Sequence, residues 1–353
     1  MTKLRVGVIG AGSIANMHLK SYVANPDVEL VGIYDQNRER AREQAEHYGA
    51  SHAFASLEEL LQHPGIDAVS ICTWNNSHAE LAIAALDAGK HVLVEKPLSK
   101  TVVEAEAIAA AAARSGTKVQ VGFVRRFSSN AKVLKSFIDA GELGEIYFAK
   151  ATNVRRIGNP GGWFADSERS GGGPLIDIGV HVLDLCWYMM GSPKAVTVSG
   201  VTYSKLGNRA NVTNLARYKV ADYDPELSDV EDMATALIRF ENGASIVLDT
   251  SYSLHASTDH LALSIFGENG GADLEPELRI VTERLDTVVN ISPQVDHLTF
   301  DFDEGFQNEI DHFVALCRGE AEDIAPVEHG VEMMRILEAI YESAAQGKEI
   351  ALD

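Results

Sequence analysis

The sequence predicts an α/β protein in two parts, a doubly wound parallel sheet followed by a second, sheet-rich domain. Three observations carry this: strands alternating with helices of about 10 to 15 residues through the first third of the chain, a glycine-rich turn directly after the first strand, and an Asn242-Gly243 pair between two alternating apolar runs farther on. The alternation implies βαβ units with right-handed crossovers. Asn-Gly between strands is the strongest short hairpin signal.

The first strand is Leu4 to Ile9, followed by Gly10-Ala11-Gly12-Ser13-Ile14-Ala15 and a helix that Pro26 stops. This is the G-x-G-x-x-A dinucleotide fingerprint. Gly10 makes the tight turn, Gly12 lets backbone approach a diphosphate, Ala15 allows close helix packing, and the N–H groups from Ser13 and Ile14 onward face the phosphates. The second strand, Val28 to Tyr34, ends at Asp35, about 20 residues on, where a carboxylate accepts both adenosine ribose hydroxyls and selects NAD. Arg38 and Arg40 keep NADP open, and Asp35 has a second reading as cap of the Asn37 to Tyr48 helix.

Helix Leu57 to Gln62, strand Ile66 to Cys72, helix Ala79 to Ala88, strand His91 to Glu95, helix Val102 to Arg114 and strand Lys118 to Val124 continue the pattern. Ligands bind beyond the carboxyl ends of such strands. Thr73, Asn75 and His78 follow one strand and Glu95-Lys96-Pro97 ends another, which completes the expected cofactor set: Gly10, Gly12, Ser13, Ile14, Asp35, Thr73, Asn75, His78, Glu95 and Lys96. Asn75 and Ser77 read equally as helix caps, and Lys96 as a surface lysine. Pro97 stiffens the turn and makes a cis peptide affordable there.

The cut between domains is placed at 125/126, giving a dinucleotide-binding domain over 1–125 and a substrate-binding and oligomerisation domain over 126–353. Arg126 before a helix (Ala131 to Asp139) and a strand (Ile146 to Val154), with Arg156 and Trp163 after them, have the character of a sugar or polyol site, with donors for hydroxyls and a flat ring for the C–H face. Surface ion pairing is the other reading of the arginines. On a helix Asp177, His181 and Asp184 share one face, an arrangement suited to an oriented general base or to a satisfied buried pair. No third ligand has the spacing of a metal site. Further strands are expected at Ala234 to Phe240, Ala244 to Thr250, Leu261 to Phe266, Leu278 to Thr282, Val288 to Ile291 and His297 to Phe302, and Lys205 to Asp229 reads as a long functional or contact loop. Phe306, Ile310, Phe313 and Cys317 form one helical core stripe, and Val331, Met334, Leu337 and Tyr341 another.

The chain is 353 residues long, 46% hydrophobic, with a formal charge of -21. That charge argues against nucleic acid and anionic membrane surfaces. Three scattered cysteines, Cys72, Cys186 and Cys317, point to a reducing compartment. With no charged-then-apolar leader and no span-length apolar run, a cytoplasmic protein is expected.

The G-x-G-x-x-A opening, Glu95-Lys96-Pro97, the D-x-G-x-H of Asp177 to His181 and the C-terminal Glu338-Ala339-Ile340-Tyr341-Glu342-Ser343 together resemble the glucose-fructose oxidoreductase and inositol dehydrogenase family (Gfo/Idh/MocA) over essentially the whole chain. The resemblance implies an N-terminal Rossmann domain and a C-terminal α/β domain with an open, mostly antiparallel sheet. It implies hydride transfer between NAD and a secondary carbinol of a sugar, sugar derivative or cyclitol, with Lys96, Asp177 and His181 at the catalytic positions. Trp74 stands where relatives commonly carry proline, which puts the local loop shape in question. Two other activities remain in view: an NAD-retaining glycosidase working by transient sugar oxidation, and an NAD-loaded regulatory protein. An uncovered sheet face predicts a homo-oligomer, a dimer or tetramer.

Overall fold

The computed structural model describes residues 3–207, 212 and 227–352. In chain order these form β1 (Leu4–Ile9), α1 (Ala15–Ala24), β2 (Val28–Tyr34), α2 (Arg38–Tyr48), β3 (His52–Ala53), α3 (Leu57–Gln62), β4 (Ala68–Ile71), α4 (His78–Asp87), β5 (His91–Glu95), α5 (Val102–Ser115) and β6 (Val119–Gly122). There follow α6 (Ser129–Asp139), β7 (Ile146–Val154), α7 (Ser167–Ser170), a π-turn (Leu175–Gly179), α8 (Val180–Met189), β8 (Ala195–Tyr203), β9 (Met233–Phe240) and β10 (Ser245–Ser251). The chain closes with β11 (His260–Gly267), β12 (Gly270–Glu275), β13 (Arg279–Arg284), β14 (Thr287–Ile291), α9 (Phe302–Cys317), α10 (Val327–Gln346) and β15 (Ile350–Ala351).

Two compact units result, one of residues 1–127 and 302–331, the other of 128–301 and 332–353. The first is built on a parallel sheet in the order β3-β2-β1-β4-β5-β6. Its inner strands are apolar on both faces because helices cover both, and Val6, Val8, Val69, Val92, Leu93 and Val94 are fully buried. Local chemistry sets the helix starts. Asn37 caps α2 by accepting from the Arg40 N–H, and Thr101 and Glu104 form a reciprocal capping box on α5, each such cap contributing about 1 kcal/mol.

The chain re-enters this unit late. Ile310, Phe313 and Val314 of α9 share one buried core with β1, β2 and α1. The strand expected at His297 to Phe302 is not formed. Only Leu298 O takes a strand-like bond, from Leu278 N, and Asp303 and Glu304 in the first turn of α9 favour a helix from Phe302 by complementing its dipole.

The second unit carries a nine-stranded sheet, β14-β13-β12-β11-β7-β10-β9-β8-β15. All its pairings are antiparallel except β7 with β10. The Asn242-Gly243 turn joins β9 to β10 as expected, with Gly243 in the left-handed region. Strands β8 and β12 had no distinct signal, being short of strict alternation or rich in glycine. Of the expected Lys205 to Asp229 loop, residues 208–211 and 213–226 lie outside the described residues. Lys205 and Leu206 donate their backbone N–H groups to Asp232 Oδ2.

Because α9 is part of the first core, removing the fully buried Phe313 ring should destabilise that unit. Phe313→Ala is expected to cost about 3–5 kcal/mol in urea unfolding. A change within experimental error would show that α9 packs elsewhere.

Candidate active site

In the first unit the carboxyl ends of β1, β2, β4 and β5 lie on one edge of the sheet, since all four run parallel. Gly10 follows β1 with φ +93, and a Cβ there would stand 2.6 Å from Cys72 O, so only glycine makes this turn. At Gly12 a Cβ would meet nothing within 4 Å. The turn is therefore open just where a diphosphate must approach backbone. Helix α1 begins beyond it with no side-chain cap bond at Ile14, leaving its N-terminal dipole to an anion, and Ser13 is exposed beside it.

Asp35 does not cap α2, which is Asn37's task. Its Oδ2 accepts the Ala11 N–H at 2.8 Å and its Oδ1 the Asn37 N–H at 2.7 Å. The carboxylate thus ties the end of β2 to the glycine turn and keeps lone pairs for ribose hydroxyls. Arg38 and Arg40 are exposed.

After β4, Thr73 Oγ1 accepts from Ser77 Oγ at 2.7 Å. Asn75 is buried in a short 3-10 turn, and Ser77 makes no side-chain cap bond to α4. His78 is fully buried, its Nδ1 bonded to Pro97 O at 2.8 Å and its Nε2 to Thr73 O at 3.2 Å. Burial lowers its pKa, against the smaller pull of those carbonyls. That geometry gives His78 the work of holding the Lys96-Pro97 corner. The corner is a cis peptide, with Lys96 half-buried and its N–H donated to Glu95 Oε2 at 3.2 Å.

Arg126, expected among the substrate donors, is 1% exposed, and its Nη1 meets Ile324 O at 2.6 Å and His329 Nδ1 at 2.8 Å. Its guanidinium also lies over the Phe123 ring. These contacts make it a clamp inside the first unit.

In the second unit β7 and β10 run parallel, so they end on the same edge, and the D-x-G-x-H segment is fastened there. Asn153 Nδ2 donates to Ile178 O at 3.3 Å, Thr250 Oγ1 to Pro174 O at 3.3 Å, and the Tyr252 hydroxyl to Asp177 Oδ2 at 2.6 Å. Burial, then the Asp177 charge and the bond to it, push the Tyr252 pKa well up, so the phenol stays a donor. Glu231 holds the other end, accepting Gly173 N at 2.8 Å, Leu175 N at 3.0 Å and the Tyr341 hydroxyl at 3.0 Å. A Cβ on Gly173 would fall 2.4 Å from Glu231 O.

The expected regular helix through Asp177 and His181 is corrected by this fastening. Leu175–Gly179 is a π-turn in which Val180 N–H reaches Leu175 O, and the α-helix proper starts at Val180. Asp177 of this turn lies against Tyr252, and His181 stands half-buried on the first turn of α8. Such π-bulges concentrate at functional sites. Arg156 is exposed, its backbone N–H on Asp259 Oδ1 at 2.9 Å. Trp163 is half-buried and stacks on Phe164 at 4.0 Å between ring centroids. Tyr252, Glu231 and Asn153 had no local signal, since each acts on a segment far away in sequence.

Fold and site together define a dinucleotide-dependent oxidoreductase. Residues 4–123 match the oxidoreductase family, NAD-binding Rossmann fold, and residues 135–352 match the same family's C-terminal alpha/beta domain. The chain belongs to the Gfo/Idh/MocA oxidoreductase family, and its cofactor is NAD. It is 32% identical to D-glucoside 3-dehydrogenase of Escherichia coli (strain K12) over 99% of this chain and 97% of that one. It is 30% identical to myo-inositol 2-dehydrogenase of Thermotoga maritima over 76% of this chain and 74% of that one. A solved levoglucosan dehydrogenase in complex with NADH and L-sorbose superposes with a TM-score of 0.87 at 26% identity, covering 100% of both chains. Among the described residues no helix is long and apolar enough to cross a membrane.

The open space at Gly12 separates binding from folding. Gly12→Val should keep the wild-type unfolding midpoint while weakening NAD binding by about 100-fold or more, since its side chain would fill the diphosphate's approach. Calorimetric titration with NAD checks this, and undiminished affinity would contradict the placement.

Proposed function

We propose that the protein is an NAD-dependent dehydrogenase that oxidises a secondary carbinol of a sugar, sugar derivative or cyclitol such as inositol, or reduces the matching ketone. The observation that carries this reading is the buried 2.6 Å bond from Tyr252 to Asp177, which fixes the segment bearing His181. The names of the relatives, dehydrogenases of a glucoside and of inositol, support the substrate class.

NAD held by its diphosphate at the glycine turn would supply a hydride acceptor. Everything else falls to side chains. His181 takes the hydroxyl proton as the carbon gives up its hydride, and a base matched in pKa to the operating pH contributes about 10² to 10⁴ in rate. Lys96 serves as the hydrogen-bond donor that stabilises alkoxide character as it develops. Asp177, held by Tyr252, favours the imidazolium that His181 becomes. Arg156 and Trp163 recognise the remaining hydroxyls and the ring face.

The same reading places the enzyme in the cytoplasm as a homo-oligomer. Its three cysteines are free thiols, and one face of the second unit's sheet leaves Val201, Tyr203 and Phe266 more than a third exposed, a face suited to a second copy of the chain.

Screening inositols, aldoses, sugar acids and 3-keto-glycosides by NADH fluorescence should identify a substrate. With it, Lys96→Ala and His181→Ala should each lower kcat by about 10² to 10⁴ while NAD binding persists. Wild-type turnover in either variant would end the assignment, and glycoside cleavage without net NADH would favour transient oxidation instead.

A further inference from the structure

Beside the Lys96 corner the first unit buries a cluster to which the dehydrogenase chemistry gives no task. His18 of α1, Glu95 at the end of β5 and Glu309 of α9 bring a ring nitrogen and two carboxylates within 4.8 Å of one another, and all three residues are buried. Two of them are engaged. His18 bonds Ser70 Oγ through Nδ1 at 3.2 Å and Glu95 Oε1 through Nε2 at 2.7 Å, and the Tyr22 hydroxyl meets the same Ser70 Oγ at 2.6 Å. The second Glu95 oxygen takes the Lys96 N–H.

Glu309 is different. It is 0% exposed, and among the described residues neither carboxylate oxygen has a hydrogen-bond partner; Gln120 Nε2 reaches only its backbone carbonyl, at 3.3 Å. The titratable groups facing it are Tyr22 and His18 from α1, Glu95 from β5 and Cys72 after β4. Of these only the imidazole is able to turn positive, and it is bonded to Glu95. An ionised carboxylate buried without a partner is among the costliest groups a core holds, and such groups take up a proton.

We propose that Glu309 is held as the neutral carboxylic acid, so that no second charge is buried against Glu95 and that side chain keeps its place beneath the Lys96 backbone. Glu309 and His18 are then positioning residues for Lys96. Burial, and after it the Glu95 charge, raises the Glu309 pKa well above the carboxylate range. With the native value above the unfolded one, the native state binds the extra proton. The contribution of Glu309 to stability is therefore greatest below about pH 4.3, the unfolded glutamate value, and is lost as pH rises toward the native pKa.

Glu309→Gln keeps shape and neutrality without the titration. In urea unfolding of the full chain from about pH 5 to about pH 8, the wild-type folding constant should fall relative to that of the variant as pH rises, with a limiting slope of about tenfold per pH unit. Parallel curves would overturn the proposal. Glu309→Met, neutral and of similar size, gives the same comparison should the glutamine variant not fold. Infrared spectra should show the carbonyl stretch of a protonated carboxyl that Glu309→Gln removes; no difference would overturn the proposal, as would a stoichiometric divalent metal in the purified wild type. For the positioning role, Glu309→Gln should move the alkaline edge of the kcat profile to higher pH and leave the acid edge unchanged, whereas identical profiles would remove that role. This kinetic arm rests on the dehydrogenase reading. The unfolding and infrared arms do not, so a failure of that reading is told apart from a failure of the proton assignment.

Discussion

The Glu95 carboxylate is the tie on which the first unit's functional edge depends. One oxygen bonds His18 on α1 and the other accepts the N–H of Lys96, so a single buried group fixes the helix that follows the glycine turn to the strand end that presents the lysine. Removing one partner of such a buried pair leaves an uncompensated polar group and is far costlier than losing an exposed ion pair. The exposed pairs of this very acidic chain, such as Arg42 with Glu39 or Arg279 with Glu277, are worth little beside it. His78 completes the corner from the far side by bonding Pro97 O.

The second unit solves the same problem with other chemistry. Its sheet is antiparallel except where β7 meets β10, and that parallel pair gives two strand ends on one edge. Asn153, Thr250 and Tyr252 reach from those ends to the D-x-G-x-H segment, while Glu231 satisfies backbone N–H groups that the broken helix start leaves over. Buried polar networks of this kind, fully satisfied, specify one geometry, and a general base is of use only in one geometry.

How much of this was legible in the chain follows from the range of each interaction. The parallel sheet and the glycine turn were readable because strand period and turn chemistry are local signals. The Asn242-Gly243 hairpin was readable for the same reason. The partners of the site residues were not: Tyr252 and Asp177 are separated by 75 positions and His18 and Glu95 by 77, and no periodicity encodes such pairings. Asp177, His181 and Asp184 suggested a plain helical face, yet the π-turn there is a tertiary effect of Glu231 and Tyr252. Arg126 looked like a ligand donor because its residue type fits one; its burial against Ile324 and His329 depends on a return of the chain from nearly two hundred residues away, at sequence separations of 198 and 203.

The central claim is that the carbon whose hydroxyl loses its proton also gives up its hydrogen as hydride. The most direct measurement follows that hydrogen, using a substrate polyol deuterated at the reacting carbon and mass spectrometry of the cofactor after a single turnover. The account predicts one deuterium in the reduced nicotinamide, with slower turnover than for the unlabelled compound. Deuterium released to water, or retained on the sugar while product forms, would contradict it.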